Sequence, residues 1–132
     1  MYATHATSSF LLDLLFYLAF STLLAHELDA VHEHEWRLLY VLRTMPDESA
    51  RRAFVLLHVP IIAILLWLAA YPSEMVQFWT KTSLDLFMIV HAGLHRRLSE
   101  RPQYKLHAAH SRFLIYGAAA LAPLHLALLW LS

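Results

Sequence analysis

The chain has 132 residues, of which 59% are hydrophobic, and its ten lysines and arginines balance its ten aspartates and glutamates. This composition, with a positive mean hydropathy and only two glycines, is typical of a small helical membrane protein and excludes a large soluble domain. The balanced charge argues against nucleic acid as a partner. Because the chain has no cysteine, disulfides, thiolate metal sites and iron–sulfur clusters are excluded. Any metal must be held by nitrogen and oxygen.

Four apolar runs are long enough to cross a bilayer, since about 20 helical residues span about 30 Å of hydrocarbon. The predicted spans are residues 10–29, 53–71, 75–95 and 113–131, within a single domain covering residues 1–132. Asp13 lies inside the first run and no lysine or arginine precedes it, which argues against a cleaved signal peptide. The predicted fold class is an all-α integral membrane four-helix bundle.

The connections between the spans carry helix-start signals. Pro46, followed by Asp47 and Glu48, predicts a helix that begins near residue 46. Ser73 is a candidate N-cap for the third helix.

The basic residues predict the orientation of the spans. Lys81 lies near the second connection, and the other nine are divided between the first connection (Arg37, Arg43, Arg51, Arg52) and the third (Arg96, Arg97, Arg101, Lys105, Arg112). The positive-inside rule therefore places the first and third connections in the cytoplasm and both termini on the non-cytoplasmic side.

Histidines gather near the predicted cytoplasmic ends of all four spans. His26 lies near the inner end of span one, His58 about five residues into span two, and His110 just before span four. His91 and His95, in the last turns of span three, are four residues apart and project from one helix face. Ionisable residues in spans are rare and usually line a functional pathway, so this layer is the candidate site.

Carboxylates accompany these histidines. If the first helix continues past Asp29, then Asp29 and Glu33 share the face of His26, whereas Glu35 turns away from it. Asp85 lies about six residues below His91 and is either a deeper supporting acid or part of another polar pocket. The predicted metal ligands are His26, Asp29, Glu33, His58, His91 and His95. Glu27, Glu35 or Asp85 would accept hydrogen bonds from ligating histidines.

Other polar residues have structural interpretations. Asp13 and Lys81 are expected to form an ion pair on the outer side, or each to reach the interface by itself. His125, in span four, is expected to be a packed or interfacial histidine.

Nitrogen and carboxylate ligands without sulfur favour zinc or iron. We therefore predict a metal-dependent enzyme, either a zinc hydrolase or an iron oxidoreductase, that acts on a lipophilic or membrane substrate. Glu27, Asp29 and Asp85 are the predicted catalytic acids or bases. Two alternatives stay open. One is a bis-histidine haem protein for electron transfer, with His58 and either His91 or His26 as axial ligands. The other is a non-catalytic subunit of a larger membrane complex, and a homo-oligomer is also compatible with the sequence.

Three segments of the chain resemble a family of small bacterial four-span membrane proteins for which no activity is established. They are His26-Glu27-Leu28-Asp29-Ala30-Val31 with His34-Glu35-Trp36, then Leu56-Leu57-His58-Val59-Pro60, and the run from Asp85 to His95. The resemblance implies a four-span fold in the bacterial inner membrane. The pair His91 and His95 with an intramembrane aspartate is also similar to the intramembrane zinc hydrolases of the alkaline ceramidase type. Those proteins have more spans, so the similarity is an analogy of site chemistry alone.

Overall fold

The computed structural model describes residues 2–131, with side chains described for residues 10–131. These residues form four helices, α1 (Tyr2–His32), α2 (Asp47–Ala69), α3 (Glu74–Leu98) and α4 (Ala109–Leu131). Two short 3-10 turns, Glu35–Leu38 and Leu42–Thr44, lie between α1 and α2. The prediction of an all-α protein with four helices is confirmed, and each helix is longer than the apolar run that predicted it.

Three helices are long and apolar enough to cross a membrane: Phe10–His32 of α1, and the whole of α2 and α4. These three candidate spans indicate a multi-pass membrane protein. α3 has 25 residues, but its sequence is interrupted by polar groups such as Asp85 and His95. Both of these side chains are buried against the other helices, so α3 places its polar groups inside the bundle.

The helix starts follow from local chemistry. α2 begins directly after Pro46, as predicted, and its first turn carries Asp47 and Glu48, whose negative charge is favourable near a helix N-terminus. Ser73 does occupy the N-cap of α3, but its side chain makes no capping hydrogen bond.

α1, α3 and α4 form the packed core, with α4 in contact with both of the others along its length. Their apolar side chains interdigitate in one cluster, formed by Phe16, Ala19, Phe20, Leu23, Leu84, Met88, Ala118 and Ala122. α2 contacts α3 more than α1, and its two buried residues, Ala50 and Phe54, both lie near its N-terminus. The remainder of α2 therefore leans away from the core and leaves space between α1, α2 and α3.

The segment after α1 folds back onto the bundle. α1 ends at His32, and His34 adopts a left-handed conformation with φ 60° and ψ 40° that reverses the chain. Trp36 is fully buried, packs against Phe54 and donates a hydrogen bond from Nε1 to Asp47 Oδ1 at 3.1 Å. The buried indole anchors this segment, so Glu35, the residue before it, is held against the helices.

Candidate metal centre

Four side chains converge on one point near the end of α1. They are His26 from α1, Glu35 from the segment after it, and His91 and His95 from α3, and one donor atom from each lies within 4.8 Å of the others. His26 and His95 are almost completely buried, whereas Glu35 and His91 are half-buried. The helical spacing of His91 and His95 lets both imidazole rings point at His26.

The distances within this cluster are short. His91 Nε2 lies 3.0 Å from His26 Nε2 and also 3.0 Å from His95 Nε2. Glu35 spans the other side, with one carboxylate oxygen 3.4 Å from His26 Nε2 and the other 3.4 Å from His95 Nε2.

Hydrogen bonding alone does not explain this geometry. An imidazole nitrogen carries either one N–H or one lone pair, so His91 Nε2 can make a good hydrogen bond with His26 or with His95 but not with both. A shared cation satisfies all these lone pairs together. With metal–nitrogen bonds of about 2.0–2.1 Å, neighbouring ligand atoms are about 2.9 Å apart at a right angle and about 3.3 Å apart at a tetrahedral angle. The observed separations of 3.0 and 3.4 Å are close to these values.

Tyr104 supports the orientation of His95. Its hydroxyl lies 3.2 Å from His95 Nδ1, so a neutral His95 whose Nε2 lone pair faces the cluster donates its Nδ1–H to the tyrosine oxygen. Burial raises the pKa of Tyr104 to about 12, so the phenol stays neutral. This second bond fixes both the ring orientation and the tautomer that ligation requires.

Glu35 is held in its ionised form by the histidines. Burial disfavours the carboxylate, but the hydrogen bond and charge of His95, with smaller contributions from His26 and His91, outweigh burial and lower the pKa of Glu35. A half-buried carboxylate beside three imidazoles therefore supplies the negative charge that a bound cation needs.

The predicted ligands divide between this cluster and other contacts. His26, His91 and His95 lie in the cluster. His58 lies outside it, with Nε2 2.9 Å from Glu27 Oε2 and Nδ1 2.7 Å from the carbonyl oxygen of Phe54.

The two remaining predicted ligands also have other neighbours. Asp29 Oδ1 lies 3.1 Å from Nε2 of the exposed His110, and Glu33 lies 3.9 Å from the exposed His32. Asp29, in the last turn of α1, and Glu33, just after the helix, thus lie outside the four-residue cluster.

Two polar pairs lie deeper along the helices. Asp85 Oδ2 and His125 Nδ1 are 2.6 Å apart, and both residues are fully buried. Asp85 is therefore part of a separate polar pocket between α3 and α4, one of its two predicted placements. Lys81 Nζ lies 3.3 Å from Asp13 Oδ1, which confirms the ion pair predicted for these residues.

Glu35 is the member of the cluster that was predicted to turn away from it. That prediction assumed a helix continuing past Asp29, whereas α1 ends at His32 and the left-handed His34 reverses the chain. The signal that was available is Trp36. Burial of this large side chain favours a segment that folds back onto the helices and carries Glu35 with it.

An apolar cavity of about 720 Å³ adjoins the cluster between α1, α2 and α3. Its walls include Leu24, Ile62, Leu65, Trp79 and Phe87. Glu27 and His58 lie at the end of the cavity that is nearest the cluster.

The chain is thus a helical protein with three candidate membrane spans and a three-histidine, one-glutamate cluster that could hold a metal ion. The model of DUF6713, a family of unknown function, matches residues 12–132, and the chain belongs to this family. Comparison with the curated proteins and with the solved structures found no match.

Proposed function

We propose that this protein is a membrane metalloenzyme that holds one divalent transition-metal ion through His26, Glu35, His91 and His95. The observation that carries the proposal is the pair of 3.0 Å contacts made by the single nitrogen His91 Nε2, which one proton cannot satisfy.

The donor set indicates the class of metal. Three imidazole nitrogens and one carboxylate, with no sulfur, favour zinc or iron(II) over calcium or magnesium, which prefer oxygen. A zinc ion with a fifth coordination position open to water would supply Lewis acidity and a nucleophile near neutral pH, and iron would supply oxidative chemistry. The residues of the chain supply the charge, through Glu35, and the fixed ring orientation, through Tyr104.

Glu27 is the best placed of the three predicted catalytic acids. It is adjacent to His26 in sequence, lines the apolar cavity and pairs with His58 at 2.9 Å. Asp29 pairs instead with His110 and Asp85 with His125. Glu27 can therefore hold or release a proton at the point where the cavity meets the cluster, which is the position that a general acid or base requires.

The distances favour a single ion over haem. Two axial histidines of haem lie on opposite sides of the iron, so their nitrogens are about 4 Å apart, twice a metal–nitrogen bond of about 2.0 Å. His26 Nε2 and His91 Nε2 are 3.0 Å apart, which leaves no space for a porphyrin between them. His58, which both predicted haem ligand pairs require, lies outside the cluster and pairs with Glu27.

We place the site near the cytoplasmic leaflet of the bacterial inner membrane. The support is the distribution of basic residues, nine of which lie in the two connections on the side of the cluster or in the helix ends that flank them. Lipid therefore surrounds the apolar cavity, and a lipophilic substrate would enter it from the bilayer.

The test is metal analysis of detergent-purified protein beside two matched variants, His91→Ala and His110→Ala. We expect near-stoichiometric zinc or iron in the wild type and in His110→Ala, and loss of the metal in His91→Ala. Size-exclusion profiles and circular dichroism establish that the variants are folded. Folded, metal-free wild-type protein that binds neither ion when it is supplied would overturn the proposal.

The accessory-subunit alternative has one observation in its favour. Only 6% of the most apolar window of α2 is buried, which leaves a broad apolar surface for lipid or for another helix. A stoichiometric partner that co-purifies in mild detergent, and whose function is untouched by His91→Ala, would support this alternative.

A further inference from the structure

The cavity between α1, α2 and α3 has the size and shape of a binding site for an extended apolar ligand. Along α2 it reaches from His58 to Leu68, a length of about 15 Å at 1.5 Å per residue. Its volume of about 720 Å³ lies within the range of about 300–1,000 Å³ that is typical of small-molecule pockets.

A single lipid chain suits this elongated apolar space, because it is lined by apolar side chains of three helices along its length and only one of its ends carries hydrogen-bonding groups, Glu27 and His58.

The polar end of the cavity is formed by Glu27 and His58. Both ring nitrogens of His58 face oxygen acceptors, Nδ1 at 2.7 Å from the Phe54 carbonyl and Nε2 at 2.9 Å from the Glu27 carboxylate. The pair therefore offers a ligand an imidazole nitrogen and a carboxylate oxygen side by side. The two side chains are 25% and 19% exposed, so a ligand in the cavity can reach them.

This polar end lies beside the metal centre. Glu27 follows His26 in the chain, and Phe87, which lines the cavity, stacks on the ring of His91 with centroids 5.2 Å apart. A headgroup held by Glu27 and His58 is thereby placed next to two of the four proposed ligands.

We propose that the cavity binds a single-chain lipid with an uncharged, hydroxyl-bearing headgroup, such as a fatty alcohol or a monoacylglycerol. The chain lies along α2, and the hydroxyl exchanges hydrogen bonds with the Glu27–His58 pair. A hydroxyl matches this end because it can donate to a Glu27 oxygen and accept from the His58 ring at once, which neither a carboxylate nor an ammonium headgroup can do. The proposal rests on the proposed function in one respect, since it makes this lipid the substrate that meets the metal centre.

The test uses a hexadecanol that carries a photoreactive diazirine in its chain, with the protein in phosphatidylcholine nanodiscs. We expect the label on the cavity-lining residues of α2 and α3, displaced by unlabelled hexadecanol. Palmitate, hexadecylamine and hexadecane should each compete about tenfold less well, since about one good hydrogen bond or charge contact distinguishes them. Equal or stronger competition by palmitate or hexadecylamine would overturn the choice of headgroup.

Two tryptophan variants of α2 separate the cavity from the lipid-facing surface. Ile62 lines the cavity, whereas Ile64, two residues on, is 53% exposed and does not. Ile62→Trp should fill the cavity and reduce labelling about tenfold or more, and Ile64→Trp should leave it unchanged. Equal labelling of the two variants, or label spread over all the helices, would mean bulk lipid contact only and would overturn the site.

The headgroup contact has its own variant. His58→Phe keeps an aromatic ring in the wall but removes the imidazole nitrogens of the pair, so hexadecanol should lose its advantage over hexadecane. An advantage that persists in this variant would contradict the assigned role of the pair.

Metal content measured on the same samples distinguishes the two proposals. Ile62→Trp that keeps its metal and loses the label supports the lipid site without reference to catalysis. Wild-type protein that is labelled but never binds metal would sink the proposed function and leave the lipid site standing.

Discussion

Replacing Glu35 by glutamine tests whether Glu35, which the sequence did not predict as a ligand, binds the metal in place of Glu33, which the sequence did predict. Glu35 is the single carboxylate of the four residues, and its two oxygens lie 3.4 Å from His26 and His95. Structural zinc sites bind with about 10–16 kcal/mol, so one ligand of four contributes about 2.5–4 kcal/mol on average. Glutamine keeps an oxygen but removes the charge, so we expect metal binding to weaken roughly 100-fold, or by about 2.7 kcal/mol.

The matched control is Glu33→Gln, a half-buried glutamate two residues earlier in the same segment. Its carboxylate lies outside the cluster, so the same change of charge should alter the affinity less than about threefold, which is under 1 kcal/mol. The assay is competition of metal-stripped protein with a chromophoric chelator, with circular dichroism to monitor folding. A Glu33→Gln effect as large as that of Glu35→Gln would refute the assignment and restore the extended-helix interpretation.

Three further changes test the support of the site and the core. Tyr104→Phe removes the hydrogen-bond acceptor of His95 and should weaken metal binding about 10–100-fold in the same chelator assay; unchanged affinity would contradict the role of the tyrosine. Asp85→Ala leaves the buried His125 unpaired and should lower the free energy of unfolding by about 3–5 kcal/mol in a denaturant titration in detergent. Metal binding should survive that change, and its loss would show that the two polar centres are coupled. Trp36→Phe keeps an aromatic ring but removes the Nε1 hydrogen bond, so metal should dissociate faster in stopped-flow exchange with a chelator; an unchanged rate would show that the indole does not anchor the segment.

The helices could be predicted from the sequence because their apolar runs have the length that a bilayer demands. The ends of the helices were harder to predict. The apolar run that predicted the second span starts at residue 53, whereas α2 begins at Asp47. The two differ because Arg51 and Arg52 are helical but too polar to belong to an apolar run. The start signal at Pro46 located this end correctly, because it depends on local backbone chemistry and not on hydropathy.

The histidines of the cluster could be predicted in part because spacing within one helix is a local property. The i and i+4 positions of His91 and His95 follow from the helical repeat alone. The pairing of His58 with Glu27 and of Asp85 with His125 depends on how the helices rotate against one another, and that rotation is set by interdigitation of side chains in the core. The sequence pattern within a single helix does not predict this rotation.

The position of Glu35 could not be predicted for a different reason. Its position depends on a single left-handed residue, His34, and on the burial of Trp36. A non-glycine residue in this conformation is uncommon, so extending the helix was the reasonable expectation from the sequence.

If the cluster binds the proposed ion, the left-handed His34 also makes the order of the segment after α1 depend on metal supply. Three of the four cluster residues lie on helices, but the fourth is carried by a turn whose backbone conformation costs about 1–2 kcal/mol. An ion present at 100 times its dissociation constant stabilises the state that binds it by about 2.7 kcal/mol, which exceeds that cost. By thermodynamic linkage, a change that destabilises the turn also weakens metal binding. Removal of the ion would in turn favour unfolding of the segment that contains Glu35, Trp36 and Arg37.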